Sequence, residues 1–327
     1  MRAALLRGAG AALQIAEVPI PVPGAGEMLV KLQASGVCHT DVHVWQGGLR
    51  APVPPDPFIL GHEGVGVVVA LGADVADWAV GDRAGAGWLH DTCGVCDECT
   101  SGHESFCQNQ RAHGFHVPGT FAEYVVVKAA FAVRLPDGPA HDLAPLMCAG
   151  VTAFGALERA SVVAGETCAI FGCGGLGLYA VQLAARMGAH VVAVDPDPVK
   201  RAAAMAMGAA MAAAPDEAIP FAHACINFAP TPATWAPMLA AIRPRGRIVA
   251  AAMVAEPVPL DQEWLTGTGV TITGTSVGTR AQMARLMDLH VATPLAGQVT
   301  EIELQDVTMA LTMLHQGRAP GRFCIRF

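Results

Sequence analysis

Charged residues are scarce in this sequence. Lysine and arginine number 20 and aspartate and glutamate number 28 among 327 residues, so only 15% of the chain is charged, against about 25% in a typical globular domain. Hydrophobic residues make up 53%, and the mean hydropathy is +0.41. A chain of this composition either enters a membrane or buries most of its apolar surface, and its length suggests about two ordinary domains.

Uninterrupted apolar segments are also lacking. A membrane-spanning helix needs about 20 consecutive apolar residues. The longest run without a charged residue, Ala218–Ile242, contains four prolines, and the next, Thr167–Ala185, is broken by four glycines. The opening residues, MRAALLRGAG, do not form the continuous apolar stretch of a signal peptide. We therefore expect a cytoplasmic protein that has no membrane partner.

Positive charge is in deficit, whereas cysteine is plentiful. The formal net charge of −8 gives no electrostatic reason to bind nucleic acid. Ten cysteines are present, and four of them are clustered between positions 93 and 107. In a chain without a signal peptide, clustered cysteines favour metal sites over disulfides.

The hydrophobic pattern changes near residue 150. Before it, β-branched or alternating runs recur at Met28–Leu32, Val65–Leu71 and Phe121–Val127, separated by glycine and proline turns, which predicts an irregular β-rich barrel or sandwich. After it, short apolar strands alternate with Ala/Leu/Met-rich helices, which predicts a parallel sheet covered on both faces. The predicted strands are Thr167–Phe171, His190–Val194, Ala224–Phe228, Arg247–Ala251 and Val270–Thr273, and the predicted helices are Leu176–Met187, Pro198–Met207, Thr234–Ile242 and Arg280–His290.

A glycine-rich turn joins the first predicted strand of this second region to its first helix. Its residues are Gly172, Cys173, Gly174, Gly175, Leu176 and Gly177. In this context Gly172 permits the tight turn, Gly174 lets the backbone approach a pyrophosphate, and Gly177 allows the helix to pack closely on the strand. The free N–H groups at the start of the helix would bind the phosphates. The alternative is a turn that binds nothing or binds a different nucleotide.

An acidic residue ends the next predicted strand. Asp195 lies where an acid that binds the ribose hydroxyls is expected, about 20 residues after the glycine motif. Its carboxylate would repel a 2′-phosphate, and no arginine follows it directly. The sequence therefore favours NAD over NADP.

The clustered cysteines predict a structural zinc site. Cys93, Cys96, Cys99 and Cys107 have the compact spacing of a closed thiolate site. The iron–sulfur alternative fits less well, because the bacterial ferredoxin run has three residues before its fourth cysteine and a proline after it. A nucleic-acid zinc ribbon is disfavoured by the acidic residues around the cluster.

A second group of metal-binding side chains is spread along the chain. Cys38 ends a predicted strand, His62 and Glu63 open another, and Cys148 lies just before the change of pattern. One histidine and two cysteines are a ligand set of catalytic zinc, which keeps its fourth position for water or substrate. Taken singly, a buried cysteine is usually only a small hydrophobic side chain, so the prediction depends on the combination.

Together these features resemble the zinc-dependent medium-chain alcohol dehydrogenase family over essentially the whole chain. The matching segments are CHTDVHVW from Cys38, GHEGVG from Gly61, GDRAG from Gly81, the four-cysteine loop, TFAEY from Thr120, MCAGVTAF from Met147, GCGGLG, SVGTR from Ser276 and a terminal GRF. The first of these and Trp88 look most like the yeast-type and bacterial tetrameric branch, which acts on primary alcohols.

The resemblance implies an α/β chain made of two domains, with the active site in the cleft between them. Residues 1–148 and 294–327 would form a GroES-like catalytic domain that carries the structural zinc loop 91–108. Residues 149–293 would form a Rossmann domain, a doubly wound parallel sheet that binds NAD. The implied assembly is a homo-oligomer, a tetramer rather than a dimer.

The resemblance also implies a role for individual residues. Cys38, His62 and Cys148 would hold the catalytic zinc, Glu63 would exchange with water on the metal, and Asp41 would orient His62. Thr40 and His43 would relay the substrate proton, and Trp45 and Trp88 would narrow the substrate pocket, although both could simply pack the core. The implied cofactor contacts are His39 and Arg322 at the pyrophosphate, Lys200 beside Asp195 at the ribose, and Thr152, Val277 and Gly278 at the nicotinamide.

The expected activity is the interconversion of primary alcohols and aldehydes with NAD, on a chain that binds two zinc ions. One alternative is an enzyme for secondary alcohols, aromatic alcohols or polyols, and another is a catalytically silent nucleotide-binding protein. Two departures from the family pattern stand out. The segment between Met207 and Cys225 leaves little room for the usual helix, and Ser276 replaces a common aromatic residue.

Overall fold

A computed structural model describes residues 1–48, 56–254 and 256–327 of the chain, which divides into two compact units. Unit 1 contains Met1–Cys148 and Thr279–Phe327, and unit 2 contains Ala149–Gly278. The sequence instead predicts that the chain returns to the first domain at residue 294. The helix Arg280–Ala292 falls in unit 1 because Arg280 at its start donates hydrogen bonds to Glu104 and to the Ala130 carbonyl.

Unit 1 is rich in short strands, as the turn-punctuated sequence predicts. Its strands are β1 (Arg2–Leu6), β2 (Gln14–Glu17), β3 (Glu27–Val37), β4 (Phe58–Ile59), β5 (Gly64–Leu71), β6 (Arg83–Ala86), β7 (Leu89–Asp91), β8 (Arg111–Ala112), β9 (Tyr124–Lys128), β10 (Val133–Arg134), β17 (Val299–Ile302) and β18 (Arg322–Arg326). Its helices are α1 (His39–Trp45), α2 (Asp97–Thr100), α3 (Ala140–Leu143), α9 (Arg280–Ala292) and α10 (Val307–His315).

Strand β3 is the centre of unit 1. It pairs antiparallel with β5, β9 and β18 in a seven-stranded sheet. Met28, Val30 and Leu32 alternate along it and are buried in one core with Val68 and Val125. The far end of the same strand leads directly to Cys38. The central strand thus fixes the first of the candidate metal ligands.

Unit 2 is a parallel six-stranded sheet. Its strands are β11 (Thr167–Phe171), β12 (His190–Val194), β13 (Met211–Ala213), β14 (Ala222–Asn227), β15 (Ile242–Ala250) and β16 (Thr271–Gly274). Its helices are α4 (Ala149–Arg159), α5 (Gly177–Arg186), α6 (Pro198–Ala206), α7 (Trp235–Ala241) and α8 (Gln262–Thr268). The order β13-β12-β11-β14-β15-β16 is that of a Rossmann sheet, so the predicted fold class is confirmed.

The crossover from β13 to β14 lacks a helix. Throughout residues 207–225, all of which the structure describes, the only element between α6 and β14 is the three-residue strand β13. The expectation that a full helix would not fit there is confirmed. Ile219 packs instead against the core cluster that contains Phe171 and Val192.

No single helix in the described parts of the chain is long and apolar enough to cross a membrane. One bent pair, Ala140–Met147 followed by Ala149–Arg159 at 45°, has the required length and composition when the two helices are taken together.

Candidate active site

Four predicted metal ligands from three segments of unit 1 lie together. Cys38 is the N-cap of α1, His62 and Glu63 immediately precede β5, and Cys148 follows a 3-10 turn over Ala144–Met147. One ligand atom from each residue lies within 4.8 Å of the others, and all four residues are buried. Strand ends and helix caps therefore bring this set together, although its members are up to 110 positions apart along the chain.

His62 is held in one orientation by Asp41. The Nδ1 atom of His62 lies 3.0 Å from Oδ1 of Asp41, whose carboxylate also accepts the backbone N–H groups of Cys38 at 2.8 Å and Gly61 at 3.2 Å. The Nε2 atom of His62 is buried and has no hydrogen-bond partner among the described residues. A buried ring nitrogen without a partner, opposite a carboxylate-held one, is typical of a metal-ligating histidine.

The surroundings of His62 favour positive charge. Burial opposes protonation of the ring, yet Asp41 and the Cys38 sulfur together raise the pKa of His62 well above its usual value. The hydrogen bond between the two thiols lowers the pKa of Cys38 against the effect of burial. The same hydrogen bond and burial together raise the pKa of Cys148. A site with this bias is suited to a cation.

The spacing of the sulfurs agrees with a metal between them. Cys38 Sγ and Cys148 Sγ are 3.9 Å apart. Two thiolates on one tetrahedral zinc, each about 2.3 Å from the metal, would be about 3.8 Å apart. The sulfurs therefore do not need to move appreciably to bind zinc.

Glu63 is paired with Arg322. The Nη2 atom of Arg322 donates to both carboxylate oxygens, and both side chains are buried. Burial raises the pKa of Glu63 to about 7, although Arg322 opposes this effect. A Cβ on Gly36 would lie 2.0 Å from Glu63 Oε2, so the carboxylate needs a glycine on the neighbouring strand. The family resemblance implies a place for Arg322 at the pyrophosphate and gives no sign of this pair.

The predicted proton-relay residues lie on α1. The Oγ1 atom of Thr40 is 3.8 Å from Cys38 Sγ, so its hydroxyl borders the metal site. The rings of His39 and His43 meet edge to face at 5.2 Å. Burial lowers the pKa of both histidines, which favours the neutral forms that can both accept and donate a proton.

The two predicted pocket tryptophans differ in their surroundings. Trp88 meets the His62 ring edge to face at 5.2 Å and stacks on Phe115 at 5.8 Å, so it borders the metal site. Trp45 belongs to a buried hydrophobic cluster, and its indole N–H donates to the Ala11 carbonyl at 2.7 Å. These are contacts of a core residue. Phe115 was not foreseen, because nothing in its local sequence marks it.

The four clustered cysteines surround a common point in unit 1. The sulfur separations are 3.5 Å for Cys96–Cys99, 3.6 Å for Cys93–Cys107 and 4.0 Å for Cys93–Cys99. Backbone N–H groups of Val95 and Cys96 lower the pKa of Cys93 to about 6. All four are free thiols. Four cysteine sulfurs at this spacing fit a tetrahedral zinc site with four cysteine ligands.

The glycine-rich turn of unit 2 has the backbone form that the motif requires. Gly172 has a φ of +93°, and a Cβ on Gly177 would lie 1.9 Å from the Gly172 carbonyl oxygen. A Cβ on Gly174 would meet no described atom within 4 Å, so space is open beside it. Gly175 and Leu176 complete the turn that leads into α5. This arrangement leaves room for a pyrophosphate at the start of the helix.

Asp195 is buried beside this turn. Its two carboxylate oxygens accept the backbone N–H groups of Cys173 at 2.8 Å and Asp197 at 2.9 Å. Lys200 lies half-buried on α6, and Thr152 is buried on α4. Val277 and Gly278 follow β16, and Val277 has a φ of +40°. Burial raises the pKa of Cys173 to about 12, so its position near a helix N-terminus does not produce a thiolate.

Comparisons with known proteins agree with this arrangement. Residues 24–137 match the alcohol dehydrogenase GroES-like domain, and residues 175–292 match the zinc-binding dehydrogenase domain. An alcohol dehydrogenase of Moraxella sp. (strain TAE123) is 38% identical over 338 residues, spanning 100% of this chain and 99% of the relative. The chain belongs to the zinc-dependent alcohol dehydrogenase family.

Solved structures also resemble the chain over its whole length. A thermostable alcohol dehydrogenase from Pyrobaculum aerophilum with bound cobalt and zinc has a TM-score of 0.92 and 30% identity, covering 100% of this chain and 99% of that one. An acetophenone reductase from Geotrichum candidum in complex with NAD has a TM-score of 0.90 and 29% identity, covering 100% and 97%. Family membership and the two ligand sets together fit an alcohol oxidoreductase that uses zinc.

Proposed function

We propose that this protein interconverts primary alcohols and aldehydes, with a catalytic zinc held by Cys38, His62 and Cys148 and with NAD as the hydride carrier. The observation that carries the proposal is the buried Nε2 atom of His62, which has no hydrogen-bond partner among the described residues. It lies among two thiols and a carboxylate, all within reach of one ion. A silent nucleotide-binding protein would have no use for such a set.

The chain's own side chains would orient the reactants and move the proton. When bound, zinc supplies Lewis acidity to the alcohol oxygen, and the nicotinamide ring accepts the hydride. Asp41 fixes the His62 ring so that Nε2 presents its lone pair. The Thr40 hydroxyl accepts the substrate proton, and His43 passes it to solvent. Trp88 keeps the reacting end of the substrate away from water.

Glu63 and Arg322 would stabilise the charge of this site. One carboxylate oxygen of Glu63 lies within 4.8 Å of the ligand atoms of Cys38, His62 and Cys148, so its negative charge would balance positive charge on the metal. Arg322 holds Glu63 in place through both of its oxygens. We propose that Glu63 replaces water on the metal during ligand exchange.

Asp195 supports NAD over NADP. Its buried carboxylate is fixed by two backbone N–H groups and would accept hydrogen bonds from the ribose hydroxyls, whereas a 2′-phosphate would be repelled. The Asp195→Gly variant is expected to raise the ratio of NADP to NAD activity by about tenfold, which corresponds to about 1.4 kcal/mol. The reason is that the variant loses both the hydrogen bonds to the ribose hydroxyls and the repulsion of a 2′-phosphate. The ratio of kcat/KM values measures it. An unchanged ratio would mean that another residue selects the cofactor.

A ketone or secondary alcohol is the second candidate substrate. Ser276 occupies a position where yeast-type relatives commonly carry an aromatic residue, and a similar structure is that of an acetophenone reductase. A smaller side chain there would leave room for a second carbon substituent on the reacting carbon.

A panel of primary, secondary and aromatic alcohols, each offered with NAD and with NADP, tests the substrate class. The proposal expects the highest kcat/KM for a primary alcohol with NAD. A preference for secondary alcohols would establish the second candidate, and no turnover of any alcohol by the zinc-loaded protein would contradict both. By resemblance we also propose a homo-oligomer, a tetramer rather than a dimer. The cytoplasmic location stays a prediction.

A further inference from the structure

Glu104 is a buried carboxylate whose partner lies 176 positions away along the chain. It begins a 3-10 turn, Glu104–Phe106, in the loop between Cys99 and Cys107, and it is only 4% exposed. Its Oε1 atom accepts the backbone N–H of Arg280 at 2.9 Å and the Nε–H of the same residue at 3.3 Å. A buried charge persists when it is paired and hydrogen-bonded, and Arg280 supplies both.

The bond from Glu104 reaches the first turn of helix α9. Thr279 is the N-cap of this helix and forms a reciprocal capping box with Gln282. The first backbone N–H groups of a helix have no partner within the helix, and this end carries partial positive charge. Glu104 satisfies the N–H of Arg280 with a negative charge. The start of α9 is therefore fixed by its own cap and by the cysteine loop.

The side chain of Arg280 adds two further contacts within unit 1. Its Nη1 atom donates to the Ala130 carbonyl at 3.2 Å, and its guanidinium lies 4.4 Å from the centre of the Phe131 ring. The planar, multiply donating guanidinium suits such a combination of carboxylate, carbonyl and aromatic ring. Arg280 thus joins the cysteine loop to the segment Ala129–Phe131 as well as to α9.

The residues just before α9 have a backbone that needs support. Val277 adopts a φ of +40°, a region that a β-branched residue enters only at a cost of about 1–3 kcal/mol. Such a conformation persists where the surrounding structure fixes it. Gly278 and the N-cap Thr279 are the residues that link it to the fixed start of α9. Resemblance to the family places Val277 and Gly278 at the nicotinamide.

We propose that Glu104 is a positioning residue for the dinucleotide, because it ties the four-cysteine loop to the first turn of α9 and so fixes the backbone of Val277 and Gly278. This inference rests on the proposed function, which assigns these two residues to the cofactor. It gives the structural zinc a second role beyond stability.

The connection from the metal ligands to Glu104 is short. The N–H of Cys107 bonds to the Glu104 carbonyl at 3.1 Å, so the 3-10 turn that carries Glu104 ends directly at a fully buried cysteine. Metal bound by the four cysteines would hold Cys107, the turn and therefore the carboxylate in place. Removing the Glu104 charge interrupts this connection without touching a ligand.

Binding of NADH to the zinc-loaded full chain, measured by fluorescence titration, tests the proposal. For Glu104→Gln the dissociation constant of NADH and the KM for NAD are expected to rise about tenfold, while kcat at saturating NAD changes less than about twofold. Arg280→Gln keeps the backbone N–H, so a rise of about threefold is expected. The double variant should be no weaker than Glu104→Gln alone, because both changes break one link.

Asp91→Asn is the matched control. Asp91 borders the same loop, but its carboxylate pairs with Arg111 and not with α9. The Nε atom of Arg111 donates to it at 2.9 Å. The NADH affinity of Asp91→Asn should therefore match that of the wild type. Zinc content is measured for each variant, since Glu104→Gln should retain all of its metal. If Glu104→Gln does not fold, Glu104→Asp is measured in its place, because it keeps the charge on a shorter side chain. Its affinity for NADH is expected to be about threefold weaker than that of the wild type.

The outcomes separate the inference from the function on which it rests. NADH affinity of the folded Glu104 variant within twofold of wild type would overturn the inference, even if its melting temperature fell. Loss of kcat with an unchanged KM for NAD would overturn it as well. A wild-type protein that binds neither NADH nor NADPH would instead overturn the proposed function, and this inference with it.

Discussion

The two cysteine-containing sites of unit 1 differ in burial and in their neighbours. In the set Cys38, His62, Glu63 and Cys148 every residue is buried, and charged side chains of Asp41 and Arg322 adjoin it. In the four-cysteine loop three of the four residues are half-exposed. Its thiols bond to one another and to backbone N–H groups, and the Cys99 thiol donates to the Thr92 hydroxyl at 3.4 Å.

This difference bears on what each metal could do. Four thiolates fill a tetrahedral coordination shell and leave no place for a substrate. Two thiols, one imidazole and a carboxylate held by an arginine leave one position that can be vacated. With the proposed metals bound, the chain would therefore combine a closed site near the surface with an exchangeable site in the interior, and the two should respond differently to the loss of one ligand.

Cys38→Ala should have the largest effect on turnover. We expect kcat/KM to fall at least about 10³-fold, because Lewis acidity at the reacting oxygen is worth several kcal/mol. NADH binding should be largely kept, since the glycine turn and Asp195 lie in unit 2. Steady-state kinetics and NADH titration measure the two effects.

Cys168→Ala is the control for that variant. Cys168 is also fully buried, but it lies on β11 in unit 2, whereas both cysteine sets belong to unit 1. The turnover of the Cys168→Ala variant should be near that of the wild type. Activity retained by Cys38→Ala would remove the exchangeable metal from the mechanism and with it the distinction between the two sites.

Cys107→Ser should act on stability first. Loss of the structural metal is expected to cost about 3 kcal/mol or more, because metal binding in closed sites contributes directly to folding. For a chain of 327 residues the melting temperature should fall by roughly 4 °C or more. Differential scanning calorimetry measures the shift. In Cys168→Ser the same substitution removes no ligand, so an equal fall in both variants would mean that the loop needs no metal.

An effect that depends on pH is expected from the histidine pair His90 and His113. His113 is fully buried and donates Nδ1–H to the Gly87 carbonyl at 2.8 Å. Its Nε2 atom lies 3.1 Å from Nδ1 of His90. Burial, reinforced by His90, lowers the pKa of His113 to about 4. The unfolded chain takes up this proton near pH 6.5, so stability is full above that value and is lost as the pH falls toward 4.

Urea unfolding between pH 7 and 4 tests this pair. The shift corresponds to on the order of 3 kcal/mol over that range. His113→Gln should make the unfolding free energy fall less steeply than in the wild type, and His103→Gln, at an exposed position of the loop, should not. Equal slopes in all three proteins would mean that His113 titrates as it does in the unfolded chain.

Local patterns predicted most of the fold. Strands Thr167–Phe171 and His190–Val194 begin and end where the sequence predicts them, because continuous apolar runs between glycine and charged residues are clear signals. The short β13–β14 connection was also foreseen, since a segment without a helical pattern cannot supply a helix. By contrast, β15 extends five residues further towards its N-terminus than expected, from Ile242 instead of Arg247. That part contains Pro244, and a proline within a run argues against predicting a strand.

The contacts of the site were harder to predict than its members. Metal ligands have recognisable chemistry and spacing. All eight ligands predicted from the sequence lie in the two clusters of the structure. The pairs Glu63–Arg322 and Glu104–Arg280 join residues far apart in the chain, and no local pattern predicts that either pair forms. Trp45 and Trp88 look alike as sequence signals, yet one contacts a core cluster and the other contacts His62. Such distinctions depend on tertiary packing.

The zinc content of the purified protein, measured by mass spectrometry after free metal has been removed, tests the distinction between the two sites most directly. We expect two zinc ions per chain in the wild type, and one in each of Cys38→Ala and Cys107→Ser, with turnover lost in the first. A single zinc per chain in the wild type, or a Cys38→Ala variant that still holds two ions and turns over alcohol, would contradict the distinction.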